Sequence, residues 1–240
     1  MVSTVFVLLF ALVLFGVMYS AGELGTNLGT FLVVTFASRL LLHWVVRNVA
    51  FFSHGLGGDA LTYEYFAQWI AEHWSVHGFR FLTAADNDVI GAASLPPNMF
   101  AAIVYLNGGQ PAPVGCTALV ALAICLAALN FCKLAIELGA RRGLATNVTI
   151  VLFSSPALIF YTADMYKDGL VLMFVLGAVA SAIRVSRKFS LLHMAIGLMC
   201  LFALWFVRFY LVFLASLPVL VGYMGFGSKG YLRPLLSLLG

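Results

Sequence analysis

Charged residues are scarce in this chain of 240 residues. They make up 9% of the sequence, whereas hydrophobic residues make up 63%. Soluble domains carry roughly 25% charged residues, so this deficit indicates that most of the surface faces lipid. The sequence also lacks a polar linker, a low-complexity tract and a repeat of solenoid period. We therefore predict a single transmembrane domain over residues 1–240.

Patterns typical of metal sites and of nucleic-acid binding are missing as well. The four cysteines lie inside apolar runs and form no CxxC pair: Cys116, Cys125, Cys132 and Cys200. Such residues act as small buried hydrophobes, which argues against a zinc site or a disulfide framework. No basic stripe with interleaved aromatic residues occurs, so we expect no nucleic-acid partner.

Long apolar runs are what the sequence has in abundance. We interpret six of them as membrane spans: 2–19, 30–52, 114–134, 144–162, 169–183 and 191–223. The first run lacks a preceding basic segment and a following cleavage site, so we expect a retained span rather than a signal peptide. The predicted fold class is all-α, a polytopic transmembrane helix bundle whose surroundings are membrane lipids.

The distribution of basic residues predicts the orientation of the bundle. They concentrate in the short loops at 141–142 and 184–188, which the positive-inside rule places in the cytoplasm. The turn 164–168 and the large loop 53–113 then share the external face. We expect an integral protein of the bacterial inner (plasma) membrane with its active site on that face.

The loop 53–113 holds the most distinctive segment of the chain. Tyr63, Phe66, Ile70 and Trp74 recur at helical spacing after Asp59. This pattern predicts an amphipathic helix that lies in the membrane interface. A second interfacial helix is expected after the Pro-Pro pair, over 98–106, because that apolar piece is too short to span.

A basic stripe crosses the second predicted span. Arg39, His43 and Arg47 stand at positions i, i+4 and i+8, which places them on one helical face. Charges at membrane depth face protein or water. Two interpretations stay open: Arg39 is paired internally while Arg47 extends to the interface, or the stripe meets a phosphate.

Four short motifs follow one another between residues 51 and 182. They are Asp59-Ala60-Leu61-Thr62-Tyr63, Leu95-Pro96-Pro97, Leu138-Gly139-Ala140-Arg141-Arg142, and Ser155-Pro156 followed by Lys167-Asp168-Gly169-Leu170. In this order and topology the sequence resembles the GT-C superfamily of membrane glycosyltransferases, especially the protein O-mannosyltransferase and aminoarabinose transferase kind. Most members are longer, so the resemblance implies a short or truncated member.

The resemblance implies transfer of a sugar from a polyprenyl-phosphate donor to a lipid, glycan or protein acceptor. Asp59 would take the proton of the acceptor hydroxyl, although an acidic residue there also suits a helix N-cap. Asp168, the second predicted catalytic residue, would orient the acceptor, hold Lys167 or bind a metal. A divalent cation is the one cofactor left open, and no residue is assigned as its ligand.

Cations are expected near the leaving phosphate, because negative charge grows there in the transition state. The predicted substrate-binding residues are Tyr63, Glu64, Arg80, Lys167, Arg208 and Tyr210. Arg208 stands inside an apolar run, where a charged residue is a functional hypothesis by default. The alternative from another class is a non-catalytic membrane subunit or flippase of a cell-envelope glycan assembly pathway.

Overall fold

The computed structural model describes residues 2–20, 26–49, 59–91 and 93–224. Within these ranges the chain forms nine α-helices and no strand: α1 (Val2–Ser20), α2 (Thr26–Asn48), α3 (Asp59–His77), α4 (Leu95–Leu106), α5 (Pro113–Glu137), α6 (Arg142–Phe153), α7 (Pro156–Phe160), α8 (Asp168–Arg187) and α9 (Leu191–Met224). A short 3-10 helix, Asp88–Ile90, precedes α4. The predicted all-α class is confirmed for the described residues, whereas residues 50–58 of the second predicted span and of the following loop lie outside them.

Length and composition qualify four of the described helices to cross a membrane. They are Thr26–Asn48, Pro113–Glu137, Asp168–Arg187 and Leu191–Tyr223. A hydrocarbon core is about 30 Å thick, which needs about 20 apolar residues in a helix. The chain is therefore compatible with an integral membrane protein.

Helix α5 forms the centre of the bundle and runs antiparallel to α2. The Sγ atom of Cys125 lies 3.4 Å from the carbonyl oxygen of Leu32, and Thr117 contacts His43 nearer the other end of both helices. The first turn of α8 packs closely on the same helix. A Cβ atom at Gly169 would lie only 2.9 Å from Val120, so glycine permits this crossing.

The predicted span 144–162 is wrong, because the chain breaks in its middle. Helix α6 ends at Phe153, and Ser155 adopts an extended conformation with φ −61° and ψ 136° before Pro156 begins α7. A residue that precedes proline avoids the helical region for steric reasons. With 12 residues, α6 is only about 18 Å long, and the segment after it turns back toward α2 and α3.

Helix α9 is a hairpin of two helical arms, 191–207 and 209–224. Arg208 has φ −153° and ψ 90°, which lies outside the helical region. The hydroxyl of Tyr223 donates a hydrogen bond of 2.8 Å to the carbonyl of Met194. In a straight helix these two residues would be roughly 43 Å apart. The run 191–223, which we interpreted as a span, therefore folds back on itself at Arg208.

The helix directions give the bundle two chemically distinct ends. At one end, which we call the acid–base end, the start of α3 meets the start of α8, and Asp59 contacts Lys167. At the other, the basic end, the last turns of α5 and α8 are joined by an ion pair of 3.1 Å between Glu137 and Arg184. The elbow of α9 lies at the acid–base end.

Candidate functional site at the acid–base end

The outer layer of the site begins where α3 begins. Asp59 is in the first turn of that helix, where a carboxylate is stabilised by the helix dipole. Its Oδ2 atom lies 2.9 Å from Nζ of Lys167, and 57% of the Asp59 side chain is exposed. The Tyr63 ring, one turn along α3, lies with its centroid 5.6 Å from the same ammonium group. Lys167 is thus held between a carboxylate and an aromatic face.

The charge of Lys167 is secured by these neighbours. Burial alone would lower the pKa of Lys167, but the hydrogen bond to Asp59 and the contact with Tyr63 raise it above its ordinary value. Asp59 keeps one oxygen free of this contact and stays open to solvent. The pair therefore presents a carboxylate group and a cation side by side.

A second ion pair in the outer layer joins α8 to the elbow of α9. Arg208 Nη2 donates to Asp168 Oδ1 at 3.0 Å, and Nη1 donates to the hydroxyl of Tyr210 at 3.0 Å. Both charged side chains are one-third exposed. Because Lys167 and Asp168 are consecutive, the two ion pairs lie next to each other.

A deeper layer of charge lies between α2, α3 and the turn before α8. Arg47 Nη2 donates to Glu64 Oε2 at 2.7 Å and lies 3.5 Å from Asp164 Oδ1. His43 Nδ1 is 3.3 Å from the same Asp164 oxygen and 3.1 Å from the Thr117 hydroxyl. We call Arg47, Glu64, His43 and Asp164 the buried charge network.

Asp164 is fully buried and remains ionised in this network. Burial by itself would raise the pKa of its carboxyl, but the hydrogen bond with His43 and the charge of Arg47 hold it below its usual range. The backbone N–H of Met165 also donates to Oδ1, at 2.9 Å. Among the described residues, Asp164 Oδ2 and Arg47 Nε are buried without a hydrogen-bond partner. Such atoms leave a polar position for a water molecule or a ligand hydroxyl.

The basic stripe of α2 divides into two different environments. Arg39 is 1% exposed and donates to Thr162 Oγ1, to the Thr35 carbonyl and to the Phe153 carbonyl. The last of these is a terminal carbonyl of α6 that lacks an intrahelical partner. The interpretation that Arg39 is bound internally is confirmed, whereas Arg47 binds the carboxylates of the network.

Arg80 lies apart from Asp59. It pairs with Asp86 at 2.8 Å, beyond the last turn of α3. Because α3 has 19 residues, the two ends of the helix are roughly 27 Å apart. The expected role of Arg80 as a cation near the donor phosphate stays a prediction.

The sequence analysis missed Asp164, which is the most buried acidic residue of the site. The available signal was the stripe of basic residues on α2, because cations at membrane depth require carboxylate partners.

As to metals, no group of three histidine, cysteine or acidic side chains suited to an ion occurs in the described ranges. Lys167 and Arg208 instead neutralise the two predicted catalytic carboxylates.

An apolar groove approaches this end of the bundle along the first arm of α9. Its volume is about 460 Å³, and its lining consists of apolar side chains from the loop after α3, from α4 and from α9: Phe81, Leu95, Met199, Phe202, Ala203 and Phe206. Phe206 stands two residues before Arg208 and stacks edge-on against Phe81, with ring centroids 5.3 Å apart. The lining of the groove thus comes close to the elbow of α9.

Comparison with known proteins adds no family to this description. No family model, no curated protein and no solved structure matches the chain. The residues and their geometry therefore carry the functional argument.

Proposed function

We propose that this protein is a membrane glycosyltransferase of the GT-C kind. It transfers a sugar from a polyprenyl-phosphate donor to a lipid, glycan or protein acceptor at the external face of the inner membrane. The observation that carries the proposal is the position of Asp59: a solvent-open carboxylate beside Lys167, with the Asp168–Arg208 pair next to it. A base and phosphate-binding cations are the two groups that such a transfer requires.

The ion pairs suggest how the donor is received. The donor phosphate competes with Asp59 for Lys167, and its negative charge also attracts Arg208. When Lys167 turns to the phosphate, the Asp59 carboxylate is released to accept a proton. The acceptor oxygen then attacks the anomeric carbon, its proton passes to Asp59, and the bond from that carbon to the phosphate oxygen breaks. The electron pair leaves with polyprenyl phosphate, whose charge the two cations stabilise.

The apolar groove supplies a place for the isoprenoid tail. Its lining carries almost no polar surface, and Phe206 connects it to the elbow at Arg208. A lipid donor that lies in this groove directs its phosphate to the two ion pairs.

The orientation in the proposal follows from the charges of the two ends. Arg141, Arg142, Arg187 and Lys188 lie in or directly beside the short connections of the basic end, and the positive-inside rule assigns such connections to the cytoplasm. The acid–base end then faces outward. Helices α3 and α4, which begin at Asp59 and Leu95, lie along the external interface in this proposal, with Trp and Tyr side chains at headgroup level.

The proposal is tested by incubating the full chain in nanodiscs with radiolabelled polyprenyl-phosphate sugars and measuring the release of polyprenyl phosphate. Asp59→Asn removes the base, so we expect release to fall on the order of 10³-fold. Asp88→Asn is the control, because it makes the same change at an exposed carboxylate that the proposal does not use. Equal rates for the two variants would remove Asp59 from the mechanism.

One observation favours the rival function of a non-catalytic subunit or flippase. Both predicted catalytic carboxylates already have cationic partners, as in a purely structural clamp. The reciprocal exchange Asp59→Lys with Lys167→Asp separates the two functions. A structural clamp keeps its ion pair and its role in glycan assembly, whereas an enzyme loses its base from α3 and its activity. Assembly that continues in the exchanged variant would favour the subunit.

A further inference from the structure

A cavity of about 490 Å³ opens at the basic end, on the side of the bundle opposite to Asp59. It is formed where α8 ends and α9 begins, against the last turn of α5. Its lining residues are mostly basic or polar: Glu137, Arg184, Arg187, Lys188, Phe189, Ser190 and His193. The glycosyltransferase proposal gives none of these groups a role in substrate binding or catalysis.

The cavity combines an excess of cations with one acceptor that lacks a donor. Arg184 Nε is bound to Glu137 Oε1 at 3.1 Å. Arg187 and Lys188 are exposed, and neither forms an ion pair with an acidic side chain of the described residues. Glu137 Oε2 is buried, and it finds no hydrogen-bond donor among the described groups. A ligand that suits this lining carries an anionic group and, next to it, a donor.

We call Phe189, which lines the cavity, together with its sequence neighbours Leu191 and Leu192 the apolar rim. Phe189, Leu191 and Leu192 have exposed fractions of 55%, 66% and 67%, and they flank the basic residues directly in the sequence. Exposed apolar side chains beside a basic cavity at the end of a membrane span match a molecule with acyl chains and a charged headgroup. A free anion would use the cations but would gain nothing from this rim.

We propose that the cavity binds the headgroup of a glycerophospholipid. The phosphate lies against Arg187 and Lys188, and a donor group of the headgroup, an ammonium or a hydroxyl, binds Glu137 Oε2. The acyl chains lie along Phe189 and the first turn of α9. The site therefore selects headgroups that have both a phosphate and a donor over phosphatidylcholine, whose quaternary ammonium cannot donate.

The test uses the full chain in nanodiscs of equal parts phosphatidylethanolamine, phosphatidylglycerol and phosphatidylcholine, followed by mild delipidation and native mass spectrometry. We expect the two donor-bearing lipids to be retained over phosphatidylcholine. Arg187→Gln should lower their retention about fivefold, and Arg141→Gln, the same change at the same end but outside the cavity, should leave it unchanged. Equal retention of the three lipids, or equal loss in the two variants, would overturn the proposal.

Two further arms identify the source of the phosphate and the role of the acidic residue. Glu137→Gln should abolish the preference for phosphatidylethanolamine over phosphatidylcholine while phosphatidylglycerol is still retained through the cations. Inorganic phosphate is added at millimolar concentration as a competitor. Complete displacement of the lipid by inorganic phosphate would show an anion site without headgroup recognition, and would contradict the inference. None of these results depends on glycosyltransferase activity.

Discussion

The two ends of the bundle hold charge in opposite ways. At the acid–base end, carboxylates and cations from distant parts of the chain pair with one another, and the network reaches fully buried positions such as Asp164. At the basic end, cations exceed carboxylates, and Arg141, Arg187 and Lys188 are exposed in or directly beside short connections. Paired and partly buried charges carry a free-energy penalty for their removal from water, and at membrane depth such charges usually serve a function. Loose surface charge costs little and suits orientation or lipid contact.

We expect the largest loss of stability when the carboxylate at the centre of the buried charge network is removed. Asp164→Asn leaves Arg47 and His43 without the carboxylate that both contact. Arg47 keeps Glu64 as a partner, but the fully buried acceptor shared by Arg47, His43 and the Met165 N–H group is weakened. We therefore expect a loss of about 2–3 kcal/mol in the free energy of unfolding. Denaturation in detergent measures it. Asp88→Asn, at an exposed carboxylate, is the control, and equal losses would contradict the buried network.

A change of pH tests the same difference between buried and exposed charge without a mutation. The pKa of Asp164 is lower in the folded protein than in the unfolded chain, so its contribution is complete above the unfolded value near 4 and is lost as the pH falls through the folded value. We expect acid to lower the unfolding midpoint of the wild type more than that of Asp164→Asn. Parallel curves for the two proteins would show that Asp164 is not the titrating group.

The packing of α8 on α5 positions the acid–base end. Substitutions at two glycines test this packing, because we expect them to change the stability in opposite directions. Gly169→Ala places a methyl group 2.9 Å from Val120, so we expect destabilisation of about 1–2 kcal/mol. Gly143→Ala, in α6 near the basic end, meets nothing within 4 Å and should stabilise the helix by about 0.5–1 kcal/mol. Thermal unfolding in detergent measures both. A shift of the same sign in the two variants would argue against close packing at Gly169.

The smallest effect is expected at the basic end. Arg187 is exposed, so Arg187→Gln should change the free energy of unfolding by less than about 0.5 kcal/mol. The same denaturation experiment serves as the measurement. A loss comparable with that of Asp164→Asn would mean that charge at the basic end is as structural as charge in the buried network.

Local patterns predicted part of this architecture. The all-helical class and the start of α3 at Asp59 follow from apolar periodicity and composition, and the positive-inside rule brought Asp59 and Lys167 to one face. The contacts of Asp164 were not predictable in that way. Its partners His43 and Arg47 lie more than 110 positions earlier in the sequence, and a buried carboxylate in a polar turn has the same local pattern as a solvated one.

Two other differences have identifiable physical causes. Arg80 was expected among the cations near the leaving phosphate, and a continuous helix of 19 residues separates it from Asp59. The run 191–223 was treated as one span because its composition is uniformly apolar. The run reverses its direction at Arg208. The backbone of this residue leaves the helical region, and its guanidinium binds Asp168. Tertiary contacts, rather than hydropathy, determine such a turn.

The hairpin of α9 also places both of its ends on the same side of the bundle. Because its two arms run out and back, residue 224 returns to the side of the bundle from which residue 191 departs. A reporter domain or protease site inserted just after either position would therefore become accessible from the same compartment, although more than thirty apolar residues separate them in the sequence. Topology mapping by hydropathy alone would assign the two positions to opposite compartments.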